Sequence, residues 1–140
     1  MMKILGVVLL FVLSVNILSG QVRCDTVDDQ MFIVTEVMPK ANISEIELEN
    51  LLNSLIDLSN YKQFNGMIVY VNFIINCKGE DFDYKIIEST INKELEQKLI
   101  LTIQSNVKWT PAKQRKKYVD VNKTIKIQID SGKFNIEGFE

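Results

Sequence analysis

The fold is decided by an apolar stretch and the turn after it, Met67-Ile68-Val69-Tyr70-Val71-Asn72-Phe73-Ile74-Ile75-Asn76 followed by Cys77-Lys78-Gly79-Glu80. The stretch is apolar on both of its alternating faces, which is typical of a strand in the middle of a sheet. Residues 82–86 then alternate between apolar and polar side chains and predict a returning strand, with Gly79 supplying the positive φ of the turn. The stretch therefore predicts a β-hairpin whose first strand is central.

Two amphipathic helices flank this hairpin in the sequence. Before it, Ser44 and Glu47 have the spacing of a capping box. Leucines at positions 48, 51, 52 and 55 then recur on one helical face, and polar residues at 45, 49, 53 and 57 fall on the other side. After the hairpin, Asn92 is a suitable N-cap, and apolar residues at 91, 95, 99 and 103 share a face. We therefore expect one helix on each side of the hairpin in the chain.

The remaining segments predict shorter elements. Residues 31–37 are β-branched and aromatic and favour a short strand, which Pro39 ends. Residues 118–129 predict the last strand, with an inward apolar series that Lys123 interrupts. Residues 130–140 are polar, with two phenylalanines, and we expect a mobile tail there.

The element order (β)-α-β-β-α-β predicts an α+β fold of two layers. A hairpin followed by a helix and a strand closes most simply as a split β-α-β unit, which gives a three-stranded antiparallel sheet with two helices on one face. In this arrangement the 118–129 strand lies beside the central strand and becomes an edge of the sheet. Its outer backbone groups are then expected to be unpaired.

Several short motifs, in this order, resemble the TonB C-terminal domain family. They are Glu36-Val37-Met38-Pro39, Asn65-Gly66-Met67-Ile68-Val69-Tyr70-Val71-Asn72-Phe73, Asn76-Cys77-Lys78-Gly79, Ile86-Ile87-Glu88-Ser89 and Lys108-Trp109-Thr110-Pro111-Ala112. Each motif is weakly specific by itself, and the ordered set is more specific. The resemblance covers residues 31–129, which we take as the domain.

The resemblance implies a periplasmic protein-binding domain that pairs its last strand with an extended segment of an outer-membrane transporter or another envelope protein. An open sheet edge suits such pairing because backbone hydrogen bonds supply affinity with little demand on sequence. The positions implied to meet the partner are Val121, Asn122, Thr124, Lys126, Ile127 and Gln128. Two alternatives stay open: a polar edge that binds nothing, and a secreted structural or accessory protein that self-associates, as a homodimer, through the same edge.

Two departures from the family bear on energy transduction. A TonB proper carries a retained N-terminal helix with a functional histidine and a long proline-rich spacer. This chain has no histidine and two prolines. The resemblance therefore indicates a free-standing form of the domain.

The N-terminus predicts export. Residues 1–20 combine Lys3, an apolar run and small terminal residues, which is typical of a signal peptide; a retained membrane anchor is the alternative. Residues 21–30 are expected to form a flexible lead-in. We therefore expect a periplasmic or secreted protein, in which Cys24 and Cys77 either form a disulfide or remain two free thiols.

Composition argues against nucleic-acid binding and against catalysis. The net charge of −2 gives no electrostatic basis for nucleic acid. The absence of histidine removes the commonest general base and metal ligand, so we expect no enzyme activity, no metal and no cofactor. One basic patch could dock an acidic protein or an anionic envelope polymer, or be a solvated loop: Lys108, Lys113, Arg115, Lys116 and Lys117.

Three residues of the motifs have structural interpretations. Gly66 permits a tight entry into the central strand. Trp109 is expected to fill one end of the core, with its indole N–H bonded to a backbone carbonyl. Pro111 is expected to fix the approach to the last strand.

Overall fold

The computed structural model describes residues 23–24 and 31–140. The predicted signal peptide, residues 1–20, and all of the predicted lead-in except Arg23 and Cys24 lie outside the described residues. None of the described helices is both long and apolar enough to cross a membrane.

The described chain is mixed α+β. The helices are α1 (Glu45–Leu55), the 3-10 helix η1 (Leu58–Phe64) and α2 (Lys93–Asn106). The strands are β1 (Lys40–Ala41), β2 (Ile68–Ile75), β3 (Asp81–Ile87), β4 (Trp109–Thr110), β5 (Ala112–Gln114), β6 (Lys117–Val119), β7 (Val121–Asp130) and β8 (Lys133–Glu137).

The main sheet has four strands in the order β3-β2-β7-β8, and all neighbours are antiparallel. Two small ribbons, β1-β4 and β5-β6, complete the described sheets. The hairpin prediction is confirmed, with β2 inside the sheet and Gly79 at φ 80°. The predicted three-stranded sheet is wrong by one strand, because β8 adds to the far side of β7.

The two faces of the sheet differ in cover. On β2 the odd-numbered residues Val69, Val71, Phe73 and Ile75 are fully buried and share one core with α1 and α2. The even-numbered residues point to the opposite face, which we call the open face, and Ile68 and Tyr70 are exposed there. The helices therefore cover one face, as predicted.

Both helix starts form as the sequence predicts. Ser44 Oγ accepts from the Glu47 amide at 3.2 Å, and the Glu47 carboxylate accepts from the Ser44 amide at 2.7 Å. These bonds lower the pKa of Glu47. Asn92 caps α2 by accepting from the Leu95 amide at 2.9 Å. Local capping chemistry therefore fixes where both helices begin.

Three predictions outside these elements are wrong. Residues 31–37 form two isolated bridges, at Phe32 and Val37, because each touches a different strand rather than one continuous partner. The 118–129 strand is interrupted at Asp120, which separates β6 from β7. The tail from Asp130 is ordered, and its Phe134, Ile136 and Phe139 are buried.

Candidate functional site

The strand expected to be an edge, β7, is paired on both sides. Val121 to Gln128 pair with β2, and Lys126 to Asp130 pair with β8. At the other end, Phe32 bridges to Val121, and its carbonyl accepts from the Asn122 amide at 2.8 Å. The edge placement is therefore wrong. β7 does not offer the open edge that the expected docking of a partner strand requires.

The implied partner-binding residues divide by face. Val121 and Ile127 are fully buried in the core. The other four lie on the open face, opposite the even-numbered residues of β2: Asn122, Thr124, Lys126 and Gln128. The side-chain nitrogen Nδ2 of Asn72 donates to Asn122 Oδ1 and to Thr124 Oγ1. Lys126 pairs with Glu137 at 3.0 Å. Three of these four side chains are thus partnered within the sheet.

The outer edge of β8 is closed by one side of α1. Asn53 Oδ1 accepts from the Phe134 amide at 2.8 Å, and Asn53 Nδ2 donates to the Phe134 carbonyl at 3.1 Å. Glu49 accepts from the Ile136 amide at 3.1 Å, and Glu45 accepts from the Phe139 amide at 3.1 Å. The spacing i, i+4, i+8 puts the three side chains in one row. A row of helix side chains therefore occupies the backbone groups that another strand would use.

The inner contacts of β8 and its C-terminal extension make them part of the core. Phe134, Ile136 and Phe139 are at most 4% exposed. Burial of each large apolar side chain contributes about 1.5–3 kcal/mol. Displacement of β8 by a partner strand would expose all three, so this edge is closed by packing as well as by hydrogen bonds.

The opposite edge of the sheet is β3, and no strand among the described residues pairs with its outer side. Ile129 exchanges backbone hydrogen bonds with Met67 and Gly66. The backbone groups of odd-numbered β2 residues therefore point toward β7, and those of even-numbered β2 residues point toward β3. Tyr70 and Ile87 are directly opposite in the β2–β3 register. Alternation then points the amide and carbonyl of Ile86 away from β2. The described structure thus has one open strand edge in its main sheet, and it is β3.

Irregular backbone limits how much of this edge is usable. Asp83 has φ 55°, and the β2–β3 register shifts between Asn72 and Ile74. This bulge separates the first half of β3 from residues 84–87. Tyr84 stacks on Phe73 and its hydroxyl donates to the Asp81 carboxylate. Burial and that hydrogen bond raise the pKa of Tyr84. The usable edge is therefore the short, regular segment 84–87.

An exposed apolar group lies on the open face beside this segment. Ile87 and Tyr70 are cross-strand neighbours, 45% and 41% exposed. Ile68 lies two positions before Tyr70 on the same face and is also exposed. We call these three residues the open-face apolar group. They offer contact area for apolar side chains of a chain running along β3.

The predicted basic patch is largely one β-hairpin. Lys113 lies on β5, Arg115 and Lys116 form the turn, and Lys117 begins β6. The Lys113 ammonium lies 4.8 Å from the centre of the Tyr118 ring. Lys108 is exposed ahead of β4 and outside this hairpin. The structure therefore brings four of the five basic residues together.

The two cysteines form a disulfide around a buried carboxylate. Asp120 is fully buried and accepts from the backbone amides of Cys24 and Cys77, each at 2.9 Å, and from Arg23 at 3.4 Å. The open alternative of two free thiols is thus resolved in favour of the disulfide. Disulfides are typical of oxidising compartments. Cys24, Cys77 and Asp120 are close enough to hold a metal, but both sulfurs are committed to the bond.

The structural residues of the motifs lie mostly where expected. Trp109 is buried against Phe73 and Phe139, so it fills one end of the core. Its indole N–H has no hydrogen-bond partner in the described part of the chain, so the predicted bond to a carbonyl is wrong. Gly79 is required by close approach, because a Cβ there would lie 2.3 Å from the Trp109 carbonyl oxygen. Gly66 has φ 87°. Pro111 lies between β4 and β5.

Sequence reasoning missed both the closure of β8 and the opening of β3. The signal for β8 is present: Ser131-Gly132 suits a two-residue hairpin turn, and Phe134 and Ile136 alternate after it. No local signal shows that Glu45, Glu49 and Asn53 lie against a strand, because their pattern equals that of a solvated helix face.

Comparisons with protein-family models, curated proteins and solved structures give no match for this chain.

Proposed function

We propose that this chain is a non-enzymatic protein-binding module of the periplasm, a free-standing relative of the TonB C-terminal domain. It adds an extended segment of an outer-membrane transporter or another envelope protein to its sheet. The segment pairs with β3, at residues 84–87, rather than with β7.

The observation that carries the proposal is the difference between the two sheet edges. The amides of Phe134, Ile136 and Phe139 bond to α1 side chains, whereas the Ile86 amide points away from β2 with no partner among the described residues. Backbone groups at an open edge give affinity to an incoming strand without specifying its sequence.

The open-face apolar group supports the same location. Alternate side chains of an added strand would point to the open face, where they would meet Ile87 first. Exposed Ile87 and Tyr70 then supply apolar contact. Lys85 is exposed on the same face, and its ammonium is paired with Asp83 at 3.2 Å. The bulge at Asp83 limits pairing to a few residues, which suits a reversible contact.

The disulfide supports a location in the periplasm or outside the cell. A bond between Cys24 and Cys77 is expected in the periplasm or outside the cell and is rare in the cytosol. Together with the export signal expected at residues 1–20, it favours a partner in the envelope.

Site-specific crosslinking in cells tests the proposal. A photoreactive amino acid replaces Lys85 on β3 in one variant and Lys133 on β8 in a matched variant. Both lysines are exposed and lie on the outer strands, at opposite edges. We expect the Lys85 position to capture one envelope protein repeatedly through an extended segment, and the Lys133 position to capture it at least several-fold less.

Three results count against the proposal. Equal capture from both positions shows that β3 has no special role. Capture from Lys133 alone places the partner at the closed edge. A crosslinked homodimer at Lys85, with a dimer in sedimentation of the purified chain, supports the self-associating alternative instead.

A further inference from the structure

A second surface lies at the opposite end of the sheet from the open-face apolar group. We call β5, β6 and their Arg115-Lys116 turn the basic hairpin, and residues 31–38 the exposed arm. Val37 exchanges backbone hydrogen bonds with Lys113, at 3.1 and 2.9 Å, so the arm lies against β5. Val121, which follows the hairpin, is opposite Ile75 at the Cys77 end of β2. The surface is therefore separate from residues 84–87.

The exposed arm presents apolar side chains to solvent. Ile33 and Val34 are 73% and 75% exposed, and Val37 and Met38 are also exposed. The arm is held at both ends, because Phe32 bridges Val121 and Val37 bridges Lys113. Ile33 and Val34 thus protrude from an attached segment rather than from a free end. Clustered exposed aliphatic side chains of this kind mark interaction surfaces.

Apolar and cationic groups are interleaved on this surface. Val37, Lys113 and Tyr118 are consecutive cross-strand neighbours, so their side chains lie on one face of the ribbon. Tyr118 is 53% exposed. The turn at one end of the ribbon adds Arg115 and Lys116, and Lys117 follows. The surface therefore combines aliphatic, aromatic and basic side chains with one exposed carboxylate, that of Glu36, whose backbone amide donates to Gln114 Oε1 at 2.9 Å.

The positive charge of the basic hairpin has no acidic partner among the residues that the structure describes. Lys113, Arg115, Lys116 and Lys117 form no ion pair with any described residue. The whole chain has a net charge of −2, so this cluster opposes the overall sign. The complementary surface is therefore anionic.

The turn of the basic hairpin is in the left-handed backbone conformation. Arg115 and Lys116 have φ of 49° and 64°, the left-handed region that Asn-Gly adopts at lower cost. Two basic residues are placed at the tip of the hairpin despite that cost.

We infer that the basic hairpin and the exposed arm dock this chain on an anionic phospholipid membrane surface. The cations face the headgroup phosphates, and Ile33, Val34 and Tyr118 enter the boundary with the acyl chains. Surfaces with a basic side and protruding apolar residues bind in this way. A dissolved polyanion would use the charge but offers no apolar phase for Ile33 and Val34. This inference does not depend on strand addition at β3.

Vesicle sedimentation tests the inference. The protein is purified with the N-terminus that it has after any processing in the expressing cells. Phosphatidylcholine vesicles with and without phosphatidylglycerol are compared. We expect at least about tenfold stronger binding to the anionic vesicles, and weaker binding as salt rises. The triple variant Arg115→Gln, Lys116→Gln, Lys117→Gln should lower anionic binding roughly tenfold to a hundredfold. The control triple variant, Lys62→Gln, Lys93→Gln, Lys133→Gln, makes the same charge change elsewhere and should have little effect.

The apolar part of the surface, Ile33 and Val34, is tested with a second double variant and its matched control. Ile33→Ser with Val34→Ser should lower binding to anionic vesicles roughly tenfold. Leu55→Ser with Leu101→Ser replaces two side chains that are each 60% exposed and should leave binding unchanged. Thermal unfolding checks that all variants remain folded.

The inference is overturned by equal binding to both vesicle types, or by equal loss in the two triple variants. It is also overturned if the arm variant binds as well as the unchanged chain. Binding of dextran sulfate with the same dependence on the hairpin, and none on the arm, would assign the surface to polyanions.

Discussion

Asn53 bonds to the backbone of Phe134 as a neighbouring strand would. Its side-chain oxygen accepts from the Phe134 amide at 2.8 Å, and its side-chain nitrogen donates to the Phe134 carbonyl at 3.1 Å. Glu49 and Glu45 continue the row along the strand edge. Sheet edges attract other strands unless something covers them, and here the cover is one side of a helix.

Removal of the Asn53 amide should weaken the fold at this edge. Asn53→Ala leaves the Phe134 amide and carbonyl without their partners, and we expect a loss of about 1 kcal/mol in the free energy of unfolding. The control is Asn50→Ala, an exposed asparagine of the same helix. Urea denaturation measures both, and an equal effect in the two variants would show that the edge bonds contribute nothing.

Truncation of Phe134 should be much more costly, because this residue is fully buried. We expect Phe134→Ala to destabilise the protein by about 3–5 kcal/mol, the usual range for a large core side chain. The exposed neighbour Asn135→Ala should change stability by less than about 0.5 kcal/mol. Thermal unfolding of both variants decides whether the segment after Asp130 belongs to the core; a negligible effect of Phe134→Ala would restore the mobile tail.

Reduction of the disulfide should lower stability without abolishing the fold. The bond joins residues separated by 53 positions, and such a cross-link contributes about 2–4 kcal/mol by restricting the unfolded chain. Urea midpoints with and without dithiothreitol measure the contribution. The double variant Cys24→Ser, Cys77→Ser should unfold like the reduced chain and be insensitive to the reductant. A reductant effect that persists in this variant would refute the assignment.

The buried Lys123 should make stability depend on pH. Burial lowers the pKa of Lys123 from its ordinary value of 10.5, although the charge of Glu45 opposes this. Below the pKa of Lys123 in the folded protein, the buried ammonium therefore lowers the free energy of unfolding by its full desolvation cost. This destabilisation decreases as pH rises through that pKa toward 10.5.

We expect Lys123→Met to stabilise the protein at pH 7 by about 1 kcal/mol, despite loss of the contact with the Trp109 ring. The advantage should shrink as pH rises toward 10.5. Lys133→Met is the exposed control and should show no such trend. Denaturation at several pH values measures the difference, and an advantage that grows with pH would have the wrong sign.

The sequence predicts those features of the structure that depend on residues close together in the chain. Alternation along β2, the Ser44–Glu47 capping box and the Asn92 cap are determined by residues within a few positions of each other, and all three are confirmed. The buried residues Leu95, Leu99 and Ile103 follow from helical periodicity in the same way.

Edge or centre is a property of pairing between distant segments, and periodicity along one strand does not report it. Alternation identifies β7 as a strand but gives no information on whether β8 lies beside it. Likewise, the polar residues of α1 look alike whether they face water or the backbone of β8. The strand pairing therefore favours β3 over β7 as the candidate site. Four members of the basic cluster are close in sequence, and for that reason their proximity follows from the sequence.

Hydrogen exchange at the Ile86 amide tests the central claim most directly. In the free protein this amide points away from β2 and should exchange rapidly. When the partner captured from the Lys85 position is bound, we expect exchange at Ile86 to slow at least about tenfold. The Ile136 amide, already bonded to Glu49, should exchange at the same rate in both states. Unchanged exchange at Ile86 in the complex, or new protection confined to β8, would contradict strand addition at β3.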